Sequence, residues 1–221
     1  MFSRAIHKSI SSAFYLRTYT LMMPDFYNEV ADLIVGATDT TSTTVEWAMT
    51  VLLRHPNKMS RVLEELEAVV GNQNIVEESH LPRLLYLEAV VKETLRMYPP
   101  TPLLLPRKPS MTCTIQRDPE IWEGPLQFEP ERFLKDTEKG NYLGNNFHFF
   151  PFGSGRRICA GIPMAERMIA HVLAALVHSF EWKLPEGTKL DTQEKFGILL
   201  KKMEPLAAIP AARFCNSEQY Q

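Results

Sequence analysis

One cysteine of this chain, Cys159, lies just after Arg156-Arg157 and just ahead of a long apolar run. Gly153 and Gly155 precede it and Gly161 follows it, so the backbone can turn tightly and pass close to something flat or bulky. Two arginines and the start of a helix both favour negative charge. Such a setting suits a cysteine that binds a metal through its sulfur. A lone cysteine is otherwise a small hydrophobe. Phe152, Gly155, Arg157, Cys159 and Gly161, however, fix five positions in ten residues as F-x-x-G-x-R-x-C-x-G.

Two other groups of residues could do chemistry. Gly36 and Thr40 are four apart and share one face of any helix that carries them, with Asp39 adjoining. A glycine one turn before a hydroxyl leaves room for a small molecule beside the backbone. The threonine can also bond back to a carbonyl, and Asp39 could pass protons. Glu93 and Arg96 are three apart; on an exposed helix such a pair is worth well under about 1 kcal/mol.

The elements that must position these groups are mostly helical. Asp25 to Arg54 reads as one helix, capped by Asp25 and ended by His55-Pro56. Its centre, Thr38 to Thr44, is a run of seven weak helix formers, a local conflict of the kind found at functional sites. Asn57 to Val70 is a second helix stopped by Gly71, with Glu64, Glu65 and Glu67 expected on a solvated face. Asn72 to His80 is a loop or short turn of helix, and Leu84 to Met97 is a third helix, ended by Pro99-Pro100. Gly161 to Phe180 carries a broad apolar stripe, Ile162, Ala165, Met168, Ile169, Val172, Leu173, Leu176 and Val177, with His171 and His178 as packing or edge residues. Short strands and turns follow, with Phe196 to Leu200 expected as a strand.

Taken together, these segments resemble the cytochrome P450 family. Phe152 to Gly161 resembles its cysteine-ligand loop. Gly36-Ala37-Thr38-Asp39-Thr40-Thr41 resembles its oxygen-activation helix, with Ala37 where the family has Gly. Lys92 to Pro100 resembles the E-x-x-R helix and Phe128-Glu129-Pro130-Glu131-Arg132-Phe133 the F-x-P-E-R-F segment. The resemblance implies a mainly α fold with small β elements, the C-terminal part of the P450 fold. It implies haem b (iron protoporphyrin IX) with Cys159 as axial iron ligand and Phe152, Gly155, Arg157 and Gly161 in the cofactor loop. Arg157 and Arg107 would then face propionates, Asp39 and Thr40 would deliver protons, and Glu93, Arg96 and Arg132 would form a structural triad. A single thiolate on haem iron favours O–O cleavage. The implied activity inserts one oxygen atom of O2 into a small apolar substrate, of the kind met in plant secondary metabolism. Electrons would come from NADPH through NADPH-cytochrome P450 reductase, at the cytosolic face of the endoplasmic reticulum. Pro102 to Arg107, Trp47 and Arg54-His55-Pro56 look like plant microsomal members.

Composition bounds the rest. The chain has 221 residues, 45% hydrophobic and 23% charged, an ordinary globular balance. A formal net charge of −2 argues against nucleic-acid binding. Three cysteines, Cys113, Cys159 and Cys215, are too few and too scattered for a disulfide framework. No uncharged apolar run approaches the roughly 18 residues of a membrane span, so no anchor is expected in the chain. Residues 1–24 contain Arg4, Lys8 and Arg17 and no acidic residue, like a transit peptide in composition, but they show no periodic pattern and read rather as a frayed or wrongly assigned N-terminus. The expected division is an N-terminal segment 1–24, a partial P450 domain 25–209 and a tail 210–221. Family members have a β-hairpin where this chain passes directly from Met111-Thr112-Cys113-Thr114 to Ile115-Gln116-Arg117, so a segment is expected to be absent there. The family's N-terminal half, with its anchor and the helices over the substrate, is expected to be absent as well. The alternative to a monooxygenase is therefore a truncated, catalytically inactive fragment with weak or no haem binding. A dioxygen-independent isomerase or dehydratase is disfavoured by the intact Asp39-Thr40 pair.

Overall fold

The computed structural model describes residues 24–102, 104, 121–135, 140–142, 144, 146, 148–195, 197 and 199–213, with backbone only for 24–33 and 35. Arg107, Cys113, Cys215, the Thr114-Ile115 junction and residues 1–23 lie outside the described residues. Among the described residues five α-helices follow one another: α1 (Pro24–Arg54), α2 (Pro56–Val69), α3 (Leu85–Met97), α4 (Glu131–Lys135) and α5 (Ile162–Ser179). A 3₁₀ turn, Glu78–Arg83, leads into α3. Strands β1 (Phe180–Lys183) and β4 (Ile209–Ala212) pair antiparallel, as do β2 (Glu194–Lys195) and β3 (Lys201–Lys202). This is the mainly α architecture with small β elements that the motifs imply.

The threonine run does not interrupt α1, and the side chains show why. Thr40 Oγ1 donates to the Gly36 carbonyl at 2.6 Å, Thr44 to Thr40 at 2.9 Å and Thr50 to Glu46 at 2.7 Å. Each hydroxyl bonds one turn back, so it is satisfied within the helix and does not compete with the ladder. Pro56 then opens α2 at a position that needs no N–H donor, and Gly71, at φ +84°, turns the chain away after it. α1, α2, α3 and α5 all touch one another around Trp47, Leu52, Leu66, Leu87 and Leu173, each fully buried. His178 is buried with them and bonds through Nε2 to the Gly71 carbonyl at 2.9 Å, a packing role.

Four expectations are corrected. Glu65 does not face solvent: its carboxylate accepts the first-turn N–H groups of Tyr86 (2.7 Å) and Leu87 (2.9 Å), supplying the acceptors that an α-helix start lacks. Glu67 pairs with Arg213 at 2.6 Å, which leaves Glu64 as the exposed member of the three. The stripe on α5 is only partly covered, since Ile169, Leu173 and Val177 are buried while Met168 and Val172 are exposed. Among the described residues of 196–200 there is no strand. Leu200 instead gives its N–H to the Pro100 carbonyl (2.8 Å) and its carbonyl to Trp47 Nε1 (3.1 Å), so helix α1 and the proline segment take the bonds a strand would use. The tail begins later than residue 210, because β4 pairs through Ala212.

Candidate functional site

Glu93 and Arg96 lie on the inner face of α3 and both are fully buried. Arg96 grips Glu93 with two parallel bonds, Nε to Oε2 at 2.7 Å and an Nη2 bond to Oε1 at 2.9 Å. Its remaining donors hold the carbonyls of Pro125 (2.8 Å) and Gln127 (3.2 Å). Glu93 Oε1 also accepts the backbone N–H of Glu129 at 2.8 Å and Arg132 Nε at 3.1 Å. Arg132 in turn donates to the Glu123 carbonyl at 3.0 Å. The three residues expected as a triad thus meet, and their surplus donors fasten the segment 123–132 onto α3. Burying this charge is tolerable only because nearly every polar atom is used.

Aromatic rings lead from this cluster to the cysteine loop. Both guanidiniums lie beside Trp122, at 5.3 Å and 5.7 Å from its ring centre. Trp122 touches Phe133 (5.8 Å), Phe133 touches Phe149 (5.1 Å), Phe149 touches Tyr142 (5.6 Å), and Tyr142 meets Phe152 edge-on at 5.2 Å. Burial pushes the Tyr142 phenol well above its usual range, so it stays protonated among these rings. Motif reasoning missed Tyr142 and Phe149, whose irregular spacing carries no periodic signal.

The loop itself is closed by Cys159 N–H donating to the Phe152 carbonyl at 2.9 Å. Gly153 (φ +79°) and Gly155 (φ +64°) supply the turn between them. Gly144, which the motifs did not single out, packs on this loop: a Cβ there would stand 2.8 Å from the Gly153 carbonyl oxygen and from Ser154 Cα. Cys159 is a free, exposed thiol, and Gly161 would place a Cβ 3.7 Å from its sulfur. Arg157 is also exposed.

On α1, Gly36 is exposed and a Cβ there would meet no atom of the described residues within 4 Å, one turn before Thr40. Asp39 is held in an ion pair with Lys201, Nζ to Oδ2 at 3.4 Å, a partner that no motif indicated.

A haem fits these residues by donor chemistry. Among the described residues no three His, Cys, Asp or Glu side chains gather to hold a bare metal ion. A lone accessible cysteine suits an iron whose other ligands come with a macrocycle. The glycine turns leave the loop thin where a flat ring would approach.

The cytochrome P450 family model matches residues 5–116 and 109–207, reaching back before the Asp25 start taken from the motifs. The two matched blocks overlap at residues 109–116. Cytochrome P450 76C1 of Arabidopsis thaliana is 42% identical over 218 residues, 89% of this chain and 42% of its own length. A flavonoid 3',5'-hydroxylase of Crocosmia x crocosmiiflora is 44% identical over 83% of this chain and 39% of its own. Ferruginol synthase of Isodon rubescens is 42% identical over 87% and 43%. A zebrafish cytochrome P450 solved with abiraterone superposes with a TM-score of 0.70 at 30% identity, covering 82% of this chain and 46% of that one. The chain thus spans about two fifths of the length of these curated relatives. No described helix is long and apolar enough to cross a membrane.

Proposed function

This chain belongs to the cytochrome P450 family, and we propose that it forms the haem-thiolate part of a monooxygenase acting on a small apolar substrate. The observation that carries this reading is the exposed Cys159 thiol in a glycine-turned loop, braced through aromatic rings by the buried Glu93 and Arg96 and the partly buried Arg132. Cys159 would hold the haem iron, with Phe152, Gly155 and Gly161 shaping the loop and Arg157 and Arg107 neutralising propionates. Haem with a thiolate ligand supplies O–O cleavage and insertion of one oxygen atom of O2 into a C–H bond. Thr40 and Asp39 hold and pass protons on the α1 side. The Glu93, Arg96 and Arg132 cluster keeps the cysteine loop at a fixed height. Electrons come from NADPH through a cytochrome P450 reductase docking on the Cys159 side, at the cytosolic face of the endoplasmic reticulum. The hydroxylase and synthase names of the relatives support a plant secondary metabolite as the substrate class.

The test is the reduced carbon-monoxide difference spectrum of the purified chain. A thiolate-type Soret band is expected, and it disappears in Cys159→Ser. If the wild-type chain shows no band, the second reading holds: a catalytically inactive fragment without haem.

A further inference from the structure

The segment carrying the β2–β3 hairpin lies along α1 and is fastened to it at several heights. Arg54 Nη1 donates to Thr192 Oγ1 at 3.0 Å, Trp47 Nε1 to the Leu200 carbonyl at 3.1 Å, and the Leu206 N–H to Glu46 Oε1 at 2.8 Å. The last fastening is Lys201 Nζ to Asp39 Oδ2 at 3.4 Å. From Asp39 to Arg54 this is about 22 Å of helix. Neighbouring side chains of a strand point to opposite faces, and β3 uses both of its lysines. Lys202 is buried, donates to the Asp191 carbonyl and lies 5.1 Å from the Trp47 ring centre. Lys201 turns the other way and reaches the acid beside Thr40.

We infer that Lys201 is a positioning residue for Asp39, holding its carboxylate against the β2–β3 hairpin beside Thr40. The inference rests on the proposed role of that pair as a proton relay. Two facts make positioning necessary. Successive residues of a helix are about 100° apart around the axis, so Asp39 and Thr40 do not share a face. The Thr40 hydroxyl also commits its own proton to the Gly36 carbonyl, so a proton passed through this site has to reach the Thr40 oxygen from a neighbour that is held in place. Asp39 is only half-buried, and without a partner its side chain would sample several rotamers.

The first test needs no activity. A zero-length carbodiimide coupling of the chain is expected to join Lys201 to Asp39, with the joined peptides seen by mass spectrometry and lost in Asp39→Asn. The second uses the haem-loaded protein supplied with electrons and no added substrate. Consumed O2 leaves either as hydrogen peroxide, taking two electrons and two protons, or as two waters, taking four of each. In Lys201→Met the ratio of peroxide to water is expected to rise roughly two- to fivefold, the range a partly exposed ion pair commands. Lys201→Arg restores it, and the carbon-monoxide band is unchanged in both. Absence of the cross-link in the wild type overturns the inference. So does an unchanged ratio in Lys201→Met when Asp39→Asn raises it. If Asp39→Asn itself leaves the ratio unchanged, the relay reading fails and the inference fails with it.

Discussion

On α3, Glu93 and Arg96 have the spacing of an ordinary exposed ion pair, yet they serve as an interior joint. What changes their value is that both are fully exposure-free and that Arg96 holds two carbonyls as well as the carboxylate. A planar fork can make the two parallel bonds to Glu93 at 2.7 and 2.9 Å; an ammonium cannot. Arg96→Lys is therefore expected to lower unfolding stability by about 2–4 kcal/mol, short of the cost of removing the charge outright. Urea unfolding followed by circular dichroism measures it, and a loss under about 0.5 kcal/mol would place the pair back among ordinary surface contacts. The sequence made this cluster legible because each member sits in a short fixed motif. Gly144 was not legible, since what forbids a side chain there is the backbone of Gly153 and Ser154, nine and ten positions on.

Between elements, Glu131 at the start of α4 acts as a clasp. It takes Lys58 (2.6 Å) and Arg61 (2.8 Å) from α2 and the Tyr86 hydroxyl (3.1 Å) from α3. The Arg61 guanidinium also lies 4.2 Å from the Tyr86 ring centre. Burial alone would raise the Glu131 carboxyl. The bonds from Lys58 and Tyr86, with the Lys58 charge, outweigh it and hold the group below its ordinary value of 4.5. A carboxyl lower in the folded state binds fewer protons there than in the unfolded chain. Its contribution is thus complete above about pH 4.5 and is lost as pH falls through the folded value. Glu131→Gln is expected to weaken the fold at pH 7 but to flatten the loss of stability below pH 5. Thermal unfolding across that pH range checks it; parallel curves for the two proteins would show that Glu131 is not the titrating clasp.

For the molecule as a whole, the covered and uncovered faces of α5 matter most. Met164, Met168 and Val172 recur every fourth residue on its outer side and are 57%, 39% and 38% exposed. Contiguous exposed apolar residues promote association. Met168→Lys is expected to change stability by no more than about 0.5 kcal/mol, because the side chain lies at the exposed edge of the stripe, while lowering binding of an apolar dye. A large loss of stability would mean that the stripe is packed.

The sequence by itself determined the family, the order of the helices and the cysteine turn. These depend on spacings within a few residues: helical periodicity, proline and glycine stops, and five positions around Cys159. Tertiary structure alone decided which polar groups found partners. Glu65 was diverted from solvent to the start of α3, Leu200 spent its backbone bonds on Pro100 and Trp47, and Asp39 acquired Lys201. Asp39 and Lys201 are 162 positions apart along the chain, and no local pattern records a contact made only when the hairpin folds back along α1.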